Sequence, residues 1–409
     1  MPSETPALLL DDGWLARDGG EQLLFGERLG AVIGISVNRE SISWVVSGPT
    51  GPVKEDRLDR DVAPIEGERA SPEQVRDYLA EAFAAAGEHL PKGALAGVGV
   101  AWPGAIGRDG EPTDPRFHHD GFRDRDGNGA LPVTPLVREA MNATLGEGAG
   151  GAEVVMVNDA DADLLYEIRF GVARGARNVV GVKICGGLGM SAVHDGHLVR
   201  GENGSAGEIQ HIKVRTADAP LHSKWDGLKD LEDLPPCWCE SRECIGRFAT
   251  GAALVDQLGH FAPHGSTATS RGREIELDHG LDVIAAVFNR AGRLLGQAMI
   301  GPILALDPEM VVVSAFPRND QILVGMQSRL TGGRVKPQNF VLGTPDRDTT
   351  AAGAAQLVIE EVALPRIEDR APTGEPKVLR RELPLWLRRQ IPSSVRYVGE
   401  HRPRYGARP

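Results

Sequence analysis

Residues 153–169, EVVMVNDADADLLYEIR, contain a strand-to-helix transition that decides the fold class. The apolar run at 154–157 is typical of a buried strand, and the polar pair Asn158 and Asp159 follows it directly. A helical pattern comes next, which we expect to cover residues 161–173. A buried strand that passes at once into a helix is the repeating unit of α/β proteins.

The same alternation of strands and helices recurs along the chain. Runs rich in apolar residues predict buried strands at 31–37, 42–48, 95–106, 179–185, 190–194 and 309–315. Helical patterns predict one helix that begins at Ser71 and others over about 134–144, 245–258, 280–300 and 351–363. In α/β folds, ligands bind beyond the carboxyl ends of the strands. Polar or small residues occupy those ends here, at 36–40, 103–104, 158–159, 186–189 and 314.

The charge of the chain is unevenly distributed. The 409 residues carry a formal net charge of −12 at pH 7. Residues 370–409 contain ten Lys or Arg and three Glu, a balance of +7, which leaves −19 for the residues before them. An acidic body argues against nucleic-acid binding by the globular part. The basic tail leaves four readings open: contact with nucleic acid, with an acidic partner or with a membrane surface, or simple solvation.

The sequence does not predict a membrane-spanning or secreted protein. Its longest apolar runs are far shorter than the ~20 residues that a helix needs to cross a bilayer. The N-terminus, MPSETPALLLDDGW, has no basic region before its short Leu run and carries two Asp after it, unlike a secretory signal. We therefore expect a cytoplasmic protein.

Three of the four cysteines, Cys237, Cys239 and Cys244, lie within eight residues. In a cytoplasmic chain, such clustering indicates metal binding rather than disulfides. With His211 of the segment GEIQH they form a Cys₃His set, which suits tetrahedral Zn²⁺ in a closed, structural site. Because the spacing C-x-C-x₄-C departs from the usual C-x₂-C pair, reduced surface thiols are an alternative. In that case His211 is unrelated to them.

The residues after two strands suggest chemistry that the sequence alone leaves open. A carboxylate at Asp159 can accept a proton from a substrate hydroxyl, while Asn158 holds a neighbouring hydroxyl. Asp159 can equally be the N-cap of the following helix. The turn CGGLG, residues 185–189, can bring backbone amides to an anion, but a plain tight hairpin fits it as well. The chain has no GxxxxGK[ST] sequence and therefore no P-loop.

These elements resemble the ROK family, which groups bacterial sugar kinases with sugar-responsive transcriptional repressors. The resemblance covers roughly residues 29–363. It is most specific over 157–214, where an Asn-Asp pair, a Gly-rich turn and the segment AGE-x-x-H follow in the family's order. The cysteine cluster matches the family's Cys-x-Cys-Gly-x-x-Gly-Cys zinc motif. AWPG, residues 101–104, matches its Pro-Gly turn near the sugar, and DPEMVVVSA, residues 307–315, matches the strand that ends near the adenine of ATP.

The resemblance implies a two-lobed α/β fold like that of actin and hexokinase, of ribonuclease H-like type, with a cleft between the lobes. The residues that it implies near the sugar are Gly104, Asn158, Asp159, Glu208 and His211, with Asp159 as the general base. The residues that it implies on a structural zinc ion are His211, Cys237, Cys239 and Cys244. The residues that it implies in a remaining turn for ATP phosphates are Gly186, Gly187 and Gly189. Members of the family are commonly homo-oligomers.

The ATP side departs from the family's pattern. The kinases have Asp-x-Gly-Gly-Thr at the end of the first strand, for ATP phosphates and Mg²⁺, where this chain has Ser36-Val37-Asn38-Arg39-Glu40. Glu40 would add negative charge where the triphosphate must lie. At the adenine end, the usual Gly-Gly is Ser314-Ala315. These departures make the binding of ATP and Mg²⁺ doubtful.

The zinc motif departs from the pattern as well. Its two glycines are Glu240 and Glu243, and Gly246 stands where the family has a Glu expected to contact the sugar. The 25 residues between His211 and Cys237 form a longer connection than is typical. We expect the metal site to be kept and the neighbouring sugar contacts to be altered.

The resemblance also predicts a domain plan. We expect an N-terminal arm at 1–28, a first lobe at 29–150, a second lobe with the zinc motif at 151–365 whose last helix returns to the first lobe, and a basic, Pro/Arg-rich tail at 366–409. The arm is too short for a winged helix-turn-helix, so we expect this chain to lack the DNA-reading part of the repressors. Kept sugar-side residues and lost ATP-side features favour a sugar-sensing, regulator-like protein. The alternative is an ATP-dependent sugar kinase that phosphorylates a hexose or amino-sugar hydroxyl.

Overall fold

A computed structural model describes much of the chain. The described residues are 15–17, 23–25, 30–38, 41–48, 51–59, 71–91, 95–107, 109–113, 131–146, 149, 151–219, 231–237, 239–258, 281–315, 319–330, 339–344 and 349–363. The predicted basic tail, most of the predicted arm, Arg39 and Glu40 lie outside them. Within the described residues, no helix is both long enough and apolar enough to cross a membrane.

The elements alternate between strands and helices, as expected. The strands are β1 (Leu15–Arg17), β2 (Leu23–Phe25), β3 (Ala31–Val37), β4 (Ser41–Gly48), β5 (Gly51–Asp59), β6 (Leu95–Trp102), β7 (Glu153–Asn158), β8 (Val179–Ile184), β9 (Leu188–His194), β10 (His197–Leu198), β11 (Met310–Ala315) and β12 (Phe340–Leu342). The helices are α1 (Pro72–Gly87), α2 (Val133–Leu145), α3 (Asp159–Arg169), α4 (Gly246–Ala249), α5 (Gly251–Leu258), α6 (Leu281–Leu306), α7 (Gln321–Arg329) and α8 (Thr349–Val358).

The chain divides into two compact units, and the first contains a mixed five-stranded sheet. Its described residues fall within Met1–Arg169, Gly201–Ser205 and Asp346–Pro409. Its strand order is β5-β4-β3-β6-β7, in which β3, β6 and β7 are parallel and β4 and β5 are antiparallel. Neighbouring residues of a strand point to opposite faces of a sheet. Accordingly, Ile33 and Ile35 pack with α1 and α2, whereas Val32 packs with α8.

Helix α8 lies directly on this sheet because small residues face it. A Cβ atom on Gly34 would lie 2.0 Å from the carbonyl oxygen of Ala351, and one on Gly99 would lie 2.1 Å from that of Ala354. Any side chain at these two positions would push the helix away. Glycine is therefore required in β3 and β6 by the close approach of helix backbone.

The second unit contains another mixed five-stranded sheet. Its described residues fall within Phe170–Arg200 and Ala206–Pro345, and its strand order is β10-β9-β8-β11-β12. β8, β11 and β12 are parallel, while β9 and β10 are antiparallel additions. Apolar residues of α4, α5, α6 and α7 form one core with this sheet.

Two features differ from the expectations. The first unit extends to Arg169 rather than to residue 150, because β7 pairs in parallel with β6 and α3 follows β7. The helix expected at 245–258 is two helices, α4 and α5. Thr250 separates them: its backbone is extended, and its hydroxyl oxygen accepts a hydrogen bond from the N–H of Ala253 over 3.1 Å. Thr250 therefore ends one helix and caps the next.

Candidate functional site

Asn158, the last residue of β7, connects three pieces of backbone. Its Nδ2 donates a hydrogen bond to the carbonyl oxygen of Gly104 over 2.8 Å. Its Oδ1 accepts hydrogen bonds from the N–H groups of Ala160 (2.8 Å) and Asp161 (3.3 Å), which caps the start of α3. The capping role that the sequence left open for Asp159 is thus filled by Asn158. Asp159 is the half-buried first residue of α3.

The turn after β6 lies beside these residues. Gly104 has a φ of 98°, in the region that favours glycine. Gly204, from the segment 201–205, packs on the same turn so closely that a Cβ atom would lie 1.9 Å from the carbonyl oxygen of Ile106. The first unit therefore brings together three of the predicted sugar-side residues, Gly104, Asn158 and Asp159, beyond the carboxyl ends of β6 and β7.

The turn between β3 and β4 is closed by a side chain. The N–H of Asn38 donates to the carbonyl oxygen of Ser41 over 3.1 Å. The side chain of Asn38 accepts a hydrogen bond from the N–H of Ser41 at Oδ1 (2.9 Å) and donates from Nδ2 to its hydroxyl oxygen (2.9 Å). The amide of Asn38 is therefore engaged across a short β-turn. This is the position at which the ATP phosphates of a kinase were expected.

The predicted phosphate turn at Gly186, Gly187 and Gly189 joins β8 to β9. Ile184 pairs with Leu188, and the N–H of Cys185 donates to the carbonyl oxygen of Gly187 over 3.0 Å. None of the three glycines has a φ in the left-handed region, so backbone conformation does not require glycine there. A tight hairpin accounts for this geometry without a ligand.

Glu208 follows a glycine that is fixed against β9. Gly207 has a φ of 96°, and a Cβ atom on it would lie 1.9 Å from the carbonyl oxygen of Met190. The N–H of Met190 donates to the carbonyl oxygen of Gly207 over 2.9 Å. Glu208 then accepts a hydrogen bond at Oε2 from Nε2 of Gln210 over 3.0 Å. The carboxylate is thus held by its own loop, next to the 3₁₀ turn Ile209–His211.

His211, Cys237, Cys239 and Cys244 meet in the second unit, and their ligand atoms all lie within 4.8 Å of one another. The Sγ atoms of Cys239 and Cys244 are 3.4 Å apart. Nδ1 of His211 lies 3.6 Å from Sγ of Cys237 and 3.9 Å from Sγ of Cys244. Zinc bonds of about 2.3 Å to sulfur and 2.1 Å to nitrogen give tetrahedral ligand separations of about 3.5–3.8 Å. The cluster therefore fits one zinc ion, with Nδ1 as the histidine ligand atom.

Backbone hydrogen bonds hold the two halves of the cluster side by side. The N–H of Val214 donates to the carbonyl oxygen of Glu243, and the N–H of Ile245 donates to that of Ile212, each over 2.9 Å. The cysteine loop closes through the N–H of Glu240, which donates to the carbonyl oxygen of Cys237 over 2.7 Å. These backbone hydrogen bonds position the four ligand side chains.

The electrostatics of the cluster are uneven. Burial raises the pKa of the Cys237 thiol to about 12. Burial also acts to raise the pKa of Cys239, but hydrogen bonds from the backbone of Ser241 and from the neighbouring thiols outweigh it, and this pKa is lowered. Nζ of Lys213 donates to Sγ of Cys244 over 3.1 Å, which raises the pKa of the lysine. A cation thus lies beside the thiols and favours the negative charge that metal binding requires.

Sequence reasoning missed Arg247, which fixes the connection before the cysteines. This side chain is 7% exposed and donates from Nε to the carbonyl oxygen of Pro235 over 2.6 Å and from Nη2 to that of Leu231 over 3.3 Å. It also donates to the carbonyl oxygens of Leu234 and Arg242. Because all four acceptors are backbone atoms, no pattern of side chains in the sequence signals this contact.

The predicted site residues therefore fall into two groups. Those in the first unit are Gly104, Asn158 and Asp159. Those in the second unit are Gly186, Gly187, Gly189, Glu208, His211, Cys237, Cys239 and Cys244. Within the second group, Glu208 and His211 lie on one segment, and the three cysteines lie on another. Backbone hydrogen bonds join these two segments.

The two mixed sheets with helices on their faces define an α/β protein. Its second unit carries a Cys₃His cluster that could hold a metal ion. The chain belongs to the ROK family, whose model matches residues 58–361. The family's curated proteins that resemble it include both repressors and sugar kinases.

Three relatives are each similar to this chain over most of its length. A xylose repressor from Bacillus spizizenii is 23% identical over 366 residues, which are 86% of this chain and 84% of the repressor. The structure of a ROK transcriptional regulator homologous to E. coli MLC has 18% identity and a TM-score of 0.61 over 89% of this chain and 90% of that one. A Streptomyces griseus glucokinase in complex with glucose and AMPPNP has 20% identity and a TM-score of 0.56 over 80% of this chain and 99% of that one. These structures confirm the predicted α/β fold of the actin and hexokinase type.

Proposed function

We propose that this chain is a sugar-binding, regulator-like ROK protein that senses a sugar without phosphorylating it. The observation that carries the proposal is the β3–β4 turn. Kinases need groups there that hold Mg²⁺ and approach the phosphates closely. Asn38 instead bonds to Ser41 across the turn, and the sequence of the turn offers neither the expected carboxylate nor glycine.

We propose sugar contacts for each unit by itself. Asp159 accepts a hydrogen bond from a sugar hydroxyl, beside the Gly104 turn in the first unit. Asn158 positions that turn through one hydrogen of Nδ2 and offers the other hydrogen to the sugar. In the second unit, Glu208 and His211 are the residues that we propose for sugar hydroxyls. The carboxylates supply the charge-assisted hydrogen bonds that sugar hydroxyls favour.

The metal supports this site without taking part in chemistry. His211, Cys237, Cys239 and Cys244 would hold a zinc ion, and a closed set of four protein ligands makes such an ion structural. The ligands join the loop that carries Glu208 to the cysteine loop. We propose that the zinc-loaded chain acts as a homo-oligomer in the cytoplasm and signals through self-association, a partner or the basic tail.

One observation favours the alternative, an ATP-dependent sugar kinase. Because Asn158 caps α3, the carboxylate of Asp159 is not required as the N-cap. It could then remove the proton of the hydroxyl that attacks the γ-phosphate of ATP, releasing ADP. This reading needs a phosphate site built differently from that of the family's kinases.

One experiment separates the two functions. The zinc-loaded protein is incubated with Mg-ATP and D-glucose, D-xylose, N-acetyl-D-glucosamine or N-acetyl-D-mannosamine, while ADP release and the thermal shift are followed. We expect at least one sugar to raise the Tm with no sugar-dependent ADP. Sugar-dependent ADP release that Asp159→Asn abolishes would establish the kinase and overturn our proposal. Light scattering of the same samples checks the oligomeric state.

A further inference from the structure

Gln210 lies between the loop of Glu208 and the helix that follows the cysteines. Its side chain is 7% exposed, and its Nε2 donates to Oε2 of Glu208 over 3.0 Å. A hydrogen bond from a buried amide to a carboxylate restricts the rotation of the carboxylate. Gln210 thus restricts the direction in which Glu208 presents its carboxylate.

Gly246, the first residue of α4, is in contact with Gln210 from the other side. A Cβ atom on Gly246 would lie 3.1 Å from the carbonyl oxygen of Gln210 and 3.2 Å from its Cβ. Both separations are tighter than ordinary van der Waals contact. The φ of Gly246 is outside the left-handed region, so its backbone does not require glycine. A Cβ atom there would instead require Gln210 to shift by a few tenths of an ångström.

The gap between these two residues cannot widen freely. The N–H of Ile245 donates to the carbonyl oxygen of Ile212 over 2.9 Å, directly beside the Gln210–Gly246 contact. The Cys244–His211 pair of the metal cluster joins the same two segments. A side chain at 246 would therefore have to displace Gln210 rather than push the segments apart.

We propose that Gln210 is a positioning residue for the ligand: it orients the carboxylate of Glu208, and Gly246 is the small residue that its placement requires. This inference rests on the proposed function in assigning Glu208 to the sugar.

The first test is independent of any ligand. Wild type, Gly246→Ala, Gln210→Gly and the double variant are compared by Tm without sugar. Alanine ordinarily stabilises a helical position relative to glycine. We expect Gly246→Ala to lower the Tm by about 2 °C in the wild-type background. In the Gln210→Gly background, Gly246→Ala should leave the Tm unchanged or raise it. The contact with Cβ of residue 210 is then gone, and glycine at 210 lets its carbonyl oxygen shift. The same change in both backgrounds would overturn the pairing. Zinc content, measured for all four, checks that the metal site is intact.

The second test concerns Glu208. Gln210→Met fills the same volume without the donor, and we expect about tenfold weaker binding of the panel sugar that binds wild type best, with Tm and zinc content unchanged. In a Glu208→Ala background, Gln210→Met should change the affinity no further, because Gln210 acts through Glu208. An equal loss in both backgrounds would refute the positioning role.

The two tests separate the inference from the proposed function. If no panel sugar binds wild type while the effect of Gly246→Ala still depends on residue 210, the proposed sugar site fails and the Gln210–Gly246 pairing stands. If sugar binds and the effect of Gly246→Ala is the same in both backgrounds, the proposed function stands and the pairing fails.

Discussion

The Nδ2 atom of Asn158 donates a hydrogen bond to the carbonyl oxygen of Gly104 over 2.8 Å, which ties the end of β7 to the turn after β6. The Oδ1 atom of the same side chain caps α3. One amide therefore holds the position of Asp159 relative to the Gly104 turn. Neither a carboxylate nor a hydroxyl at 158 could donate to Gly104 and accept from α3 with this spacing.

We expect Asn158→Ala to lower the free energy of unfolding by about 2–3 kcal/mol in the absence of sugar. Loss of a cap costs about 1–2 kcal/mol, and loss of the bond to Gly104 about 1 kcal/mol more. Urea denaturation measures the change. Asn158→Ser is the matched control, because serine is also a good N-cap and its shorter side chain loses only the bond to Gly104, so about 1 kcal/mol should be lost. Equal losses in the two variants would show that the cap contributes little.

The junction of β7 and α3 was predicted only in part from the sequence. The apolar run and the helical pattern predicted β7 and α3, because period and polarity are local properties. The identity of the capping residue was not predictable, since both Asn158 and Asp159 are good N-cap residues and only the geometry of the turn selects one. The pairing of β7 with β6 was also missed, because parallel partners are chosen by tertiary contacts across many residues.

The metal site shows the same division. Residue type and order predicted that His211 and the three cysteines would meet, and their ligand atoms do lie together. The contacts of Arg247 and Gln210 were not predictable. Arg247 binds backbone carbonyls, and Gln210 contacts a glycine 36 positions away in the sequence. Such contacts leave no periodic or compositional trace in a single sequence.

The affinity for zinc should rise with pH. Burial raises the pKa of the Cys237 thiol to about 12 in the metal-free protein, so this thiol is protonated from pH 6 to pH 8 and must lose its proton to bind the metal. Lower proton activity then favours the bound state, and one displaced proton gives about a tenfold gain in apparent affinity per pH unit. Competition with a chromophoric chelator at pH 6, 7 and 8 measures the apparent affinity for zinc.

Two variants sharpen this zinc experiment. Cys185 lies outside the cluster. Cys185→Ser should therefore leave both the affinity for zinc and its pH dependence unchanged. Cys237→Ser should weaken binding strongly and reduce the pH dependence by about the one proton that Cys237 contributes. A wild-type affinity that does not change with pH would contradict the burial of a protonated thiol in the metal-free site.

Arg247→Met should destabilise the second unit by about 3 kcal/mol, because it leaves backbone carbonyls without their charged donor. Arg242→Met is the control: Arg242 is exposed and donates to one carbonyl oxygen, that of Glu232, over 3.2 Å. Arg242→Met should lower the free energy of unfolding by no more than about 0.5 kcal/mol. Urea denaturation gives both values, and proteolysis should cut the 231–236 segment faster in Arg247→Met alone. Equal sensitivity of the two variants would refute the clamping role of Arg247.

Glu240 has a φ of 66° in the cysteine loop, a conformation that costs a residue with a Cβ atom about 1 kcal/mol. Glu240→Gly should therefore raise the free energy of unfolding by about that amount and slow the release of zinc to a chelator. Glu243 belongs to the same loop and is also exposed, but its φ is outside the left-handed region. Glu243→Gly should accordingly give no gain and a small loss, since glycine there adds only freedom to the unfolded chain. If both substitutions changed stability alike, charge rather than backbone conformation would govern the loop.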